Sequence, residues 1–267
     1  MASSRKPGFQ LSRRILPYSG LLALLALWSA CVGVFRPLLI PGPWAVFLAT
    51  VELIEKGLLV KYVVASLFRV TLGYLGAVAV AVPLGFLLGW FRRGDKALGP
   101  LIQIFRPISP LAWIPLAILW FGVGDAPAIF IIFLGSFLPI TISAINAISN
   151  IEPTHIHAGR NFGLSPYELV KKVLLPATIP QLMVGLRLAL GIAWLVVVAA
   201  EMIAVNSGLG FLIVDARNAG NRYDLVVAGM LLIGGVGIAL DNLMRSIEGM
   251  MSRRWGYAPS TAPRKTS

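Results

Sequence analysis

Residues 126–148 of the chain read APAIFIIFLGSFLPITISAINAI, and this stretch contains no charged side chain. It is longer than the ~18 apolar residues that separate a membrane span from the buried helix of a soluble protein. The rest of the chain is similar, since 57% of its 267 residues are hydrophobic and only 13% are charged. Soluble domains carry about 25% charged residues. The composition therefore excludes an ordinary soluble domain and predicts an all-α protein that crosses a membrane several times.

The hydrophobic runs predict about six membrane spans. These lie at residues 15–35, 63–91, within 98–122, and at 126–148, 179–205 and 225–243. The third run is interrupted by Arg106 and Pro107, and Pro110 and Pro115 follow. Proline removes a helical hydrogen-bond donor, so the limits of this span are the hardest to place.

The distribution of lysine and arginine predicts the orientation of the spans. With six spans both termini lie on one side, and that side carries fifteen of the 23 basic residues while the other carries five. The remaining three are Arg69, Arg106 and Arg187, within or beside spans. Positive charge is retained in the cytoplasm. We therefore expect a multi-pass protein of the bacterial inner membrane with both termini in the cytoplasm.

The same pattern accounts for the net charge of +12. In a soluble protein this charge would suggest nucleic acid as a partner, but here the basic residues flank membrane spans, so the expected partner is lipid. The predicted organisation is a basic cytoplasmic tail at 1–14, one transmembrane domain at 15–248 with its core at about 63–248, and a flexible cytoplasmic tail at 249–267.

Two segments near the N-terminus each allow two interpretations. Arg13 and Arg14 precede an apolar run that reaches WSAC at Cys31, as in a signal peptide, but the run continues to residue 35, which favours an uncleaved span. Between the first two spans, Pro43 suits the first turn of a helix, and apolar residues recur at helical spacing up to Leu59. This pattern predicts a helix on the outer membrane surface, either a partner-docking surface or a plain linker.

The longest polar segment, residues 150–180, reads NIEPTHIHAGRNFGLSPYELVKKVLLPATIP and predicts two short helices joined by a tight turn. Pro153 suits the first position of one helix, and Gly163 suits the left-handed conformation that ends it. A solvated loop that only joins two spans is the alternative. Two helices with clear start and stop signals favour a surface on which a partner docks over a plain connecting loop.

The second of these short helices has a capping-box pattern. The Ser165 hydroxyl is expected to accept from the Glu168 N–H while the Glu168 carboxylate reaches back, and Leu164 and Leu169 occupy the hydrophobic staple positions. Tyr167, Val170 and Leu174 are then predicted to line one face, and Pro176 to end the helix before the fifth span.

The segment resembles the cytoplasmic motif of type I ABC importer permeases. In that motif the residues EAA are followed after three residues by Gly, and after nine more by Ile-x-Leu-Pro. The matching residues here are His157, Ala158, Gly159, Gly163, Val173, Leu174, Leu175 and Pro176. Both spacings are kept, but His157 replaces the acidic residue and Gly159 the second alanine.

Two further stretches resemble the branch of that family that imports nitrate, bicarbonate, taurine and aliphatic sulfonates. They are FRPISPLAWIPLAILWFGVGD at 105–125 and GLRLALGIAWLVVVAAEMIAVNSGLGFLI at 185–213. The resemblance runs from about Ser66 to Arg245 and implies a MetI-like architecture. It also implies a second copy of this subunit or a paralogue, two cytoplasmic ATPase subunits, and a periplasmic or lipid-anchored solute-binding protein.

The resemblance further implies that a coupling region at 150–178 sits in a groove of the ATPase. The residues assigned to this contact are His157, Ala158, Gly159, Gly163, Leu164, Ser165, Pro166, Glu168, Leu175 and Pro176. No phosphate-binding G-x-x-x-x-G-K-[ST] pattern occurs in the chain, so ATP and Mg²⁺ are expected on the partner ATPase. We expect no cofactor in this chain and do not expect it to be an enzyme.

Five residues are candidates for the translocation pathway: Arg69, Pro110, Trp113, Arg187 and Glu201. A guanidinium group matches a planar oxyanion, although arginines near span ends also reach toward headgroups. An ion-gradient-driven carrier or channel is the alternative function. Such a carrier usually needs an ionisable residue near mid-membrane, whereas Glu201 lies toward the outer end of its span.

Three other residue sets have structural interpretations. His155 and His157 are two residues apart, so they do not share a helix face, and no metal site is expected. An intramembrane enzyme would need a polar catalytic cluster such as Ser with Lys, and none is visible. Four glycines of the second span predict close helix packing: Gly73, Gly76, Gly85 and Gly89.

Overall fold

The computed structural model describes residues 20, 23–34, 40–91, 99–100, 103–218 and 220–254, and its regular elements there are all helices. In chain order these are α1 (Ala23–Val34), α2 (Pro43–Glu55), α3 (Leu58–Trp90), α4 (Ile114–Phe121), α5 (Asp125–Ser149), α6 (Pro153–Asn161), α7 (Pro166–Ala204), α8 (Leu209–Asn218) and α9 (Tyr223–Arg254). The predicted tail at 1–14, the first residues of the first span, the basic segment at 92–98 and residues 255–267 lie outside the described residues.

Four helices are long and apolar enough to cross a membrane. They are α3, α5, α7 and residues Tyr223–Ser252 of α9, and they correspond to the second, fourth, fifth and sixth predicted spans. The described part of the first predicted span is α1, a shorter apolar helix. Helix α9 continues to Arg254, beyond the predicted start of the C-terminal tail at residue 249.

The third predicted span differs from the expectation of a single helix. Within residues 103–122 the structure has a turn at Arg106 and Pro107, a 3-10 turn at Pro110–Trp113 and the short helix α4, which ends at Gly122 with φ +77°. The prolines explain the interruption, because each lacks a backbone donor and disfavours helical geometry in the preceding residue.

The chain divides into two compact units. The described residues up to Val60, together with Leu212–Leu231, form the first unit. In it, α1, α2 and the start of α9 surround a small core of Val46, Ala49 and Ala228.

An ion pair reinforces the first unit. The Arg222 Nη2 donates to Glu52 Oε2 at 2.7 Å, and Lys56 also pairs with Glu52. The hydrogen bond from Arg222, and secondly that from Lys56, lower the pKa of the Glu52 carboxyl to about 2. The carboxylate therefore stays ionised well below neutral pH.

The second unit comprises Lys61–Phe211 and the described residues from Leu232 onward. Glycines let α3 approach α5, since a Cβ at Gly73 would lie 2.8 Å from the Cβ of Ile132 and one at Gly85 would lie 2.5 Å from that of Ala144. Gly89 is similarly close to α5, which confirms close helix packing for three of the four glycines. A Cβ at Gly76 would meet its nearest neighbour at an ordinary 3.7 Å.

Helix α7 corrects the expectation that Pro176 ends the second short helix. The chain remains helical from Pro166 to Ala204, with a π-helical segment at Val170–Leu174. Pro176 lies in the first turn of the α-helical segment that follows. The wider π turn relieves the clash between the proline ring and the preceding turn, so the helix continues.

Candidate coupling element and buried ion-pair network

Helices α6 and α7 form a helix–turn–helix at the predicted coupling region. Pro153 is the first residue of α6, and Gly163 follows its C-terminus with φ +74°. Two backbone hydrogen bonds close the turn, from Gly163 N–H to the Arg160 carbonyl at 2.9 Å and from Leu164 N–H to the Gly159 carbonyl at 3.2 Å. Glycine adopts this left-handed geometry without the steric cost that a Cβ imposes.

The start of α7 has the predicted capping box. The Ser165 hydroxyl accepts from the Glu168 N–H, and the Ser165 N–H donates to Glu168 Oε2 at 3.1 Å. Pro166 occupies the first helical position, where no donor is needed. The turn geometry is therefore fixed by side chains of the turn itself.

Gly159 has a structural reason for replacing alanine in the motif. It is the buried residue of α6, and a Cβ there would lie 2.6 Å from Leu169 Cδ1 and 3.4 Å from Leu164 Cδ1. The two staple leucines thus fill the space that an alanine methyl would need. His157 and Ala158, the other two residues of the triplet, are exposed.

Two aromatic side chains project from the turn. Phe162 is 86% exposed and Tyr167 is 72% exposed. The sequence pattern does not single out Phe162. Its prediction that Tyr167 and Leu174 share one face is wrong, because Tyr167 is exposed and Leu174 is buried. The π segment changes the angular spacing of the residues, so an α-helical wheel drawn through 167–174 gives the wrong face. The two exposed aromatic side chains lie on either side of Gly163 in the sequence.

A second cluster centres on Arg69 of α3, which is only 2% exposed. Its Nε donates to Asp125 Oδ1 at 2.7 Å and its Nη1 donates to Glu201 Oε1 at 2.7 Å. The same Nη1 donates to the Ser207 carbonyl at 2.8 Å, and Nη2 donates to the Ser207 hydroxyl. One guanidinium thus joins α3, the start of α5, the end of α7 and the segment that follows.

The Glu201 carboxylate, fully buried, holds the start of α8. Its Oε2 accepts from the Ser66 hydroxyl and from the Gly210 N–H, each at 2.9 Å. The Ser66 oxygen in turn accepts from the Leu209 N–H at 2.9 Å. The helix α8 therefore begins with one backbone donor, Gly210 N–H, on this carboxylate and another, Leu209 N–H, on the Ser66 hydroxyl that the carboxylate holds.

The glycines near Glu201 permit this arrangement. A Cβ at Gly208, where φ is +106°, would lie 2.3 Å from Glu201 Oε1, and one at Gly210 would lie 2.2 Å from the Val198 carbonyl oxygen. Ser66 and Ser207 were not identified from the sequence. The only local signal was the glycine spacing in NSGLG.

The five pathway candidates lie in three places. Arg69 and Glu201 pair with each other. Arg187 contacts acidic residues of α9, with its Nη1 3.3 Å from Glu248 Oε2. Pro110 and Trp113 line an apolar cavity of about 280 Å³ together with Phe105, Ile108, Leu134, Phe137 and Leu138. The bonds of Arg69 and Glu201 to protein favour a structural role for them over contact with a solute.

The described residues contain no group of three His, Cys, Asp or Glu side chains that could hold a metal ion. Every buried side-chain nitrogen or oxygen described by the structure has a hydrogen-bond partner.

Comparisons with known proteins place these features in context. The family model described as "Binding-protein-dependent transport system inner membrane component" matches residues 81–254. The putative aliphatic sulfonates transport permease protein SsuC of Bacillus subtilis is 34% identical, over 92% of this chain and 90% of that protein. The nitrate import permease protein NrtB of Synechococcus elongatus is also 34% identical, over 89% of this chain and 90% of its own.

The fold also matches a solved structure. A chain of the MetNI methionine ABC transporter in an inward-facing conformation superposes with a TM-score of 0.64 over 73% of this chain and 96% of that one. The identity is 21%, so this likeness concerns the fold alone.

Proposed function

The chain belongs to the family of inner-membrane components of binding-protein-dependent transport systems, and we propose that it forms the pathway by which an ABC importer takes up a small oxyanion. As a transport subunit it is not itself an enzyme, since ATP hydrolysis in such systems belongs to a separate ATPase. This assignment favours an ATP-driven permease over a carrier driven by an ion gradient.

The observation that carries the proposed mechanism is the continuity of α7. Its first turn holds the capping box and the exposed Tyr167, and its last turn holds Glu201. A helix of 39 residues is about 58 Å long. Movement imposed on the docking surface by a partner would therefore reach the Arg69 network through one helix, without passing through a flexible loop.

We propose that the helix–turn–helix is the site where an ATPase docks. The assigned residues are His157, Ala158, Gly159, Gly163, Leu164, Ser165, Pro166, Glu168, Leu175 and Pro176, to which we add Phe162 and Tyr167 because both are exposed. In this scheme ATP and Mg²⁺ bind the ATPase, and its closure moves α7 so that the pathway opens toward the other side of the membrane.

The proposed assembly contains two permease subunits, two ATPases and an external solute-binding protein. The second permease subunit is a further copy of this chain or a paralogue. We propose a substrate of the sulfonate and taurine class or of the nitrate and bicarbonate class. The names of the relatives support the aliphatic sulfonates and nitrate. We propose that the solute-binding protein supplies most of the specificity, because the two buried charges Arg69 and Glu201 are bound to protein groups.

The docking proposal is tested by replacing both exposed aromatics, Phe162→Ala with Tyr167→Ala, in a permease co-expressed with its ATPase. We expect the ATPase to be lost on affinity purification, because exposed aromatic anchors carry a large share of the binding energy at interfaces. Val123→Ala is the matched control, since Val123 is 70% exposed but lies before α5, away from this turn in the sequence. Normal recovery of the ATPase with the double variant would refute the docking site.

The substrate proposal is tested in proteoliposomes that contain the permease, its ATPase and its binding protein. We expect uptake of labelled taurine, an alkanesulfonate, nitrate or bicarbonate that needs internal ATP and survives dissipation of ion gradients. Methionine is the control solute. Uptake that needs a gradient but no ATP would instead support the carrier alternative.

A further inference from the structure

Helix α2 has two apolar faces, and among the described residues only one of them is covered by protein. The inner face carries Val46, Ala49 and Leu53, each at most 3% exposed. The outer face carries large apolar side chains at helical spacing that are 50–71% exposed, namely Trp44, Phe47, Leu48 and Ile54. We call these four residues the α2 stripe.

Chain connectivity places α2 at the end of one spanning helix. It ends at Glu55 and α3 begins at Leu58, so the two helices are joined by a link no longer than ~10 Å. Gly57 makes the turn between them with φ +66°. The C-terminal end of α2 therefore lies close to the start of α3.

Packing within the first unit places the start of a second long apolar helix beside α2. The inner face of α2 packs on Ala228, near the start of α9, which is also long enough to span a membrane. Arg222, directly before α9, forms its ion pair with Glu52 of α2. Two helices that are long and apolar enough to span a membrane thus begin beside α2, which favours a position of α2 near a membrane–water boundary.

The composition of the stripe matches that boundary. The rings of Trp44 and Phe47 stack with centroids 5.5 Å apart. Tryptophan is enriched at headgroup depth because its ring is apolar and its N–H is polar. The charged residues Glu55 and Lys56 are exposed at the opposite end of the helix. Both charges are compatible with the polar headgroups of a membrane. If α2 were surrounded by water instead, the four large apolar side chains of the stripe would be exposed to it.

We propose that α2 is an interfacial lipid-binding helix whose stripe contacts the boundary between headgroups and acyl chains, with Trp44 as its anchor. The predicted orientation of the chain makes this the outer leaflet. An interfacial helix buries its apolar face ~5–10 Å into this boundary. The proposal depends on the chain being a membrane protein and is independent of the solute and of the docking site.

The experiment measures tryptophan fluorescence of the intact complex and of its Trp44→Phe variant. Both are placed in phosphatidylcholine vesicles whose lipids carry bromine either near the headgroup or deep in the acyl chain. The difference between the two proteins reports Trp44. We expect this component to lose more intensity with shallow bromine than with deep bromine, and to change little with aqueous iodide. Trp44→Phe keeps an aromatic ring, so the complex is expected to fold.

A second difference signal serves as the control. Trp28 of α1 packs against the core of the first unit, so the component lost in Trp28→Phe should be quenched less by shallow bromine. Quenching of Trp44 by iodide but not by lipid would show a water-facing stripe and overturn the proposal. Protection of Trp44 from both quenchers would show a protein partner on the stripe, and would overturn it equally.

Discussion

Gly159 shows how one side chain limits the local structure of the docking surface. Alanine would match the family motif better than glycine does, yet the space for its methyl group is filled by Leu169. Glycine at position 159 therefore leaves room for the Leu169 side chain, which packs where the alanine methyl group would lie. His157, which is exposed, has no such internal constraint.

We predict that Gly159→Ala destabilises the helix–turn–helix by up to about 1 kcal/mol, because Leu169 must move to admit the methyl group while alanine regains about 0.5–1 kcal/mol of helix propensity. Thermal unfolding of the purified complex and ATP-driven uptake would measure the effect. Adding Leu169→Val, which shortens the clashing side chain, should restore part of both. Gly76→Ala is the matched control, because its Cβ would meet Phe133 at an ordinary distance. Equal effects of Gly159→Ala and Gly76→Ala would contradict this explanation.

The Arg69 network gives a second prediction at this scale. Arg69→Met strands the buried Glu201 carboxylate, which should cost about 3–5 kcal/mol of stability. Adding Glu201→Gln removes the stranded charge while keeping an acceptor for Ser66 and the Gly210 N–H, so the double variant should be more stable than Arg69→Met alone. Melting of the complex tests this. If the stability lost in the double variant equals the sum of the losses in Arg69→Met and Glu201→Gln alone, the two side chains are not energetically coupled.

Individual residues were predictable from the sequence only where the interaction is local. The Ser165–Glu168 capping box spans three residues and has a known pattern, so it was predicted and is present. The contact between Arg69 and Glu201 joins residues 132 apart. No periodicity links such positions, and both side chains could be noticed only as charges inside apolar runs.

Among the elements, α7 carries the largest difference from expectation. Proline is a reliable helix breaker in an α-helix, and Pro176 was predicted to act as one. The π segment before it supplies a wider turn, and a single such turn leaves no clear mark in the sequence. The four long apolar helices were predictable because continuous hydrophobic runs determine them directly.

The π segment at Val170–Leu174 supports a prediction about this helix. Deleting the exposed Lys171 should convert the segment to α-helical geometry. Because a π turn holds one residue more than an α turn, the docking surface should keep its rotational position relative to the rest of α7, and we expect ATP-driven uptake to be retained. Deleting the exposed Gln181, in the α-helical part of α7, removes about 100° of turn and should abolish uptake while membrane insertion stays normal. Loss of uptake with the Lys171 deletion and its retention with the Gln181 deletion would contradict this explanation.

For the whole molecule, the sequence predicted the multi-pass helical architecture but not its division into two units. Composition and hydropathy indicate whether a segment lies in lipid or in water. They do not indicate that Leu212–Leu231 belong to the same unit as the residues up to Val60, because that grouping depends on contacts between distant segments. Orientation in the membrane is likewise a prediction from charge.

We predict that the docking turn and the loop before α5 lie on opposite sides of the membrane. In a Cys31→Ser background, Val123→Cys should react with a membrane-impermeant maleimide added to spheroplasts, and Phe162→Cys should react only after lysis. Both positions are highly exposed, so accessibility to reagent within the protein is not limiting. The reverse pattern would invert the proposed orientation.

The Arg69 network also constrains how the chain is made. Asp125 follows Arg69 by 56 residues and Glu201 by 132, so the ribosome completes α3 well before either counter-ion exists. At ~5–20 residues per second, Arg69 waits on the order of ten seconds for Glu201. Its position as the twelfth of the 33 residues of α3 lets the long side chain reach toward headgroup water during that interval. We therefore expect biogenesis to follow the order of synthesis, in which Asp125 is available to pair with Arg69 before Glu201 completes the buried network.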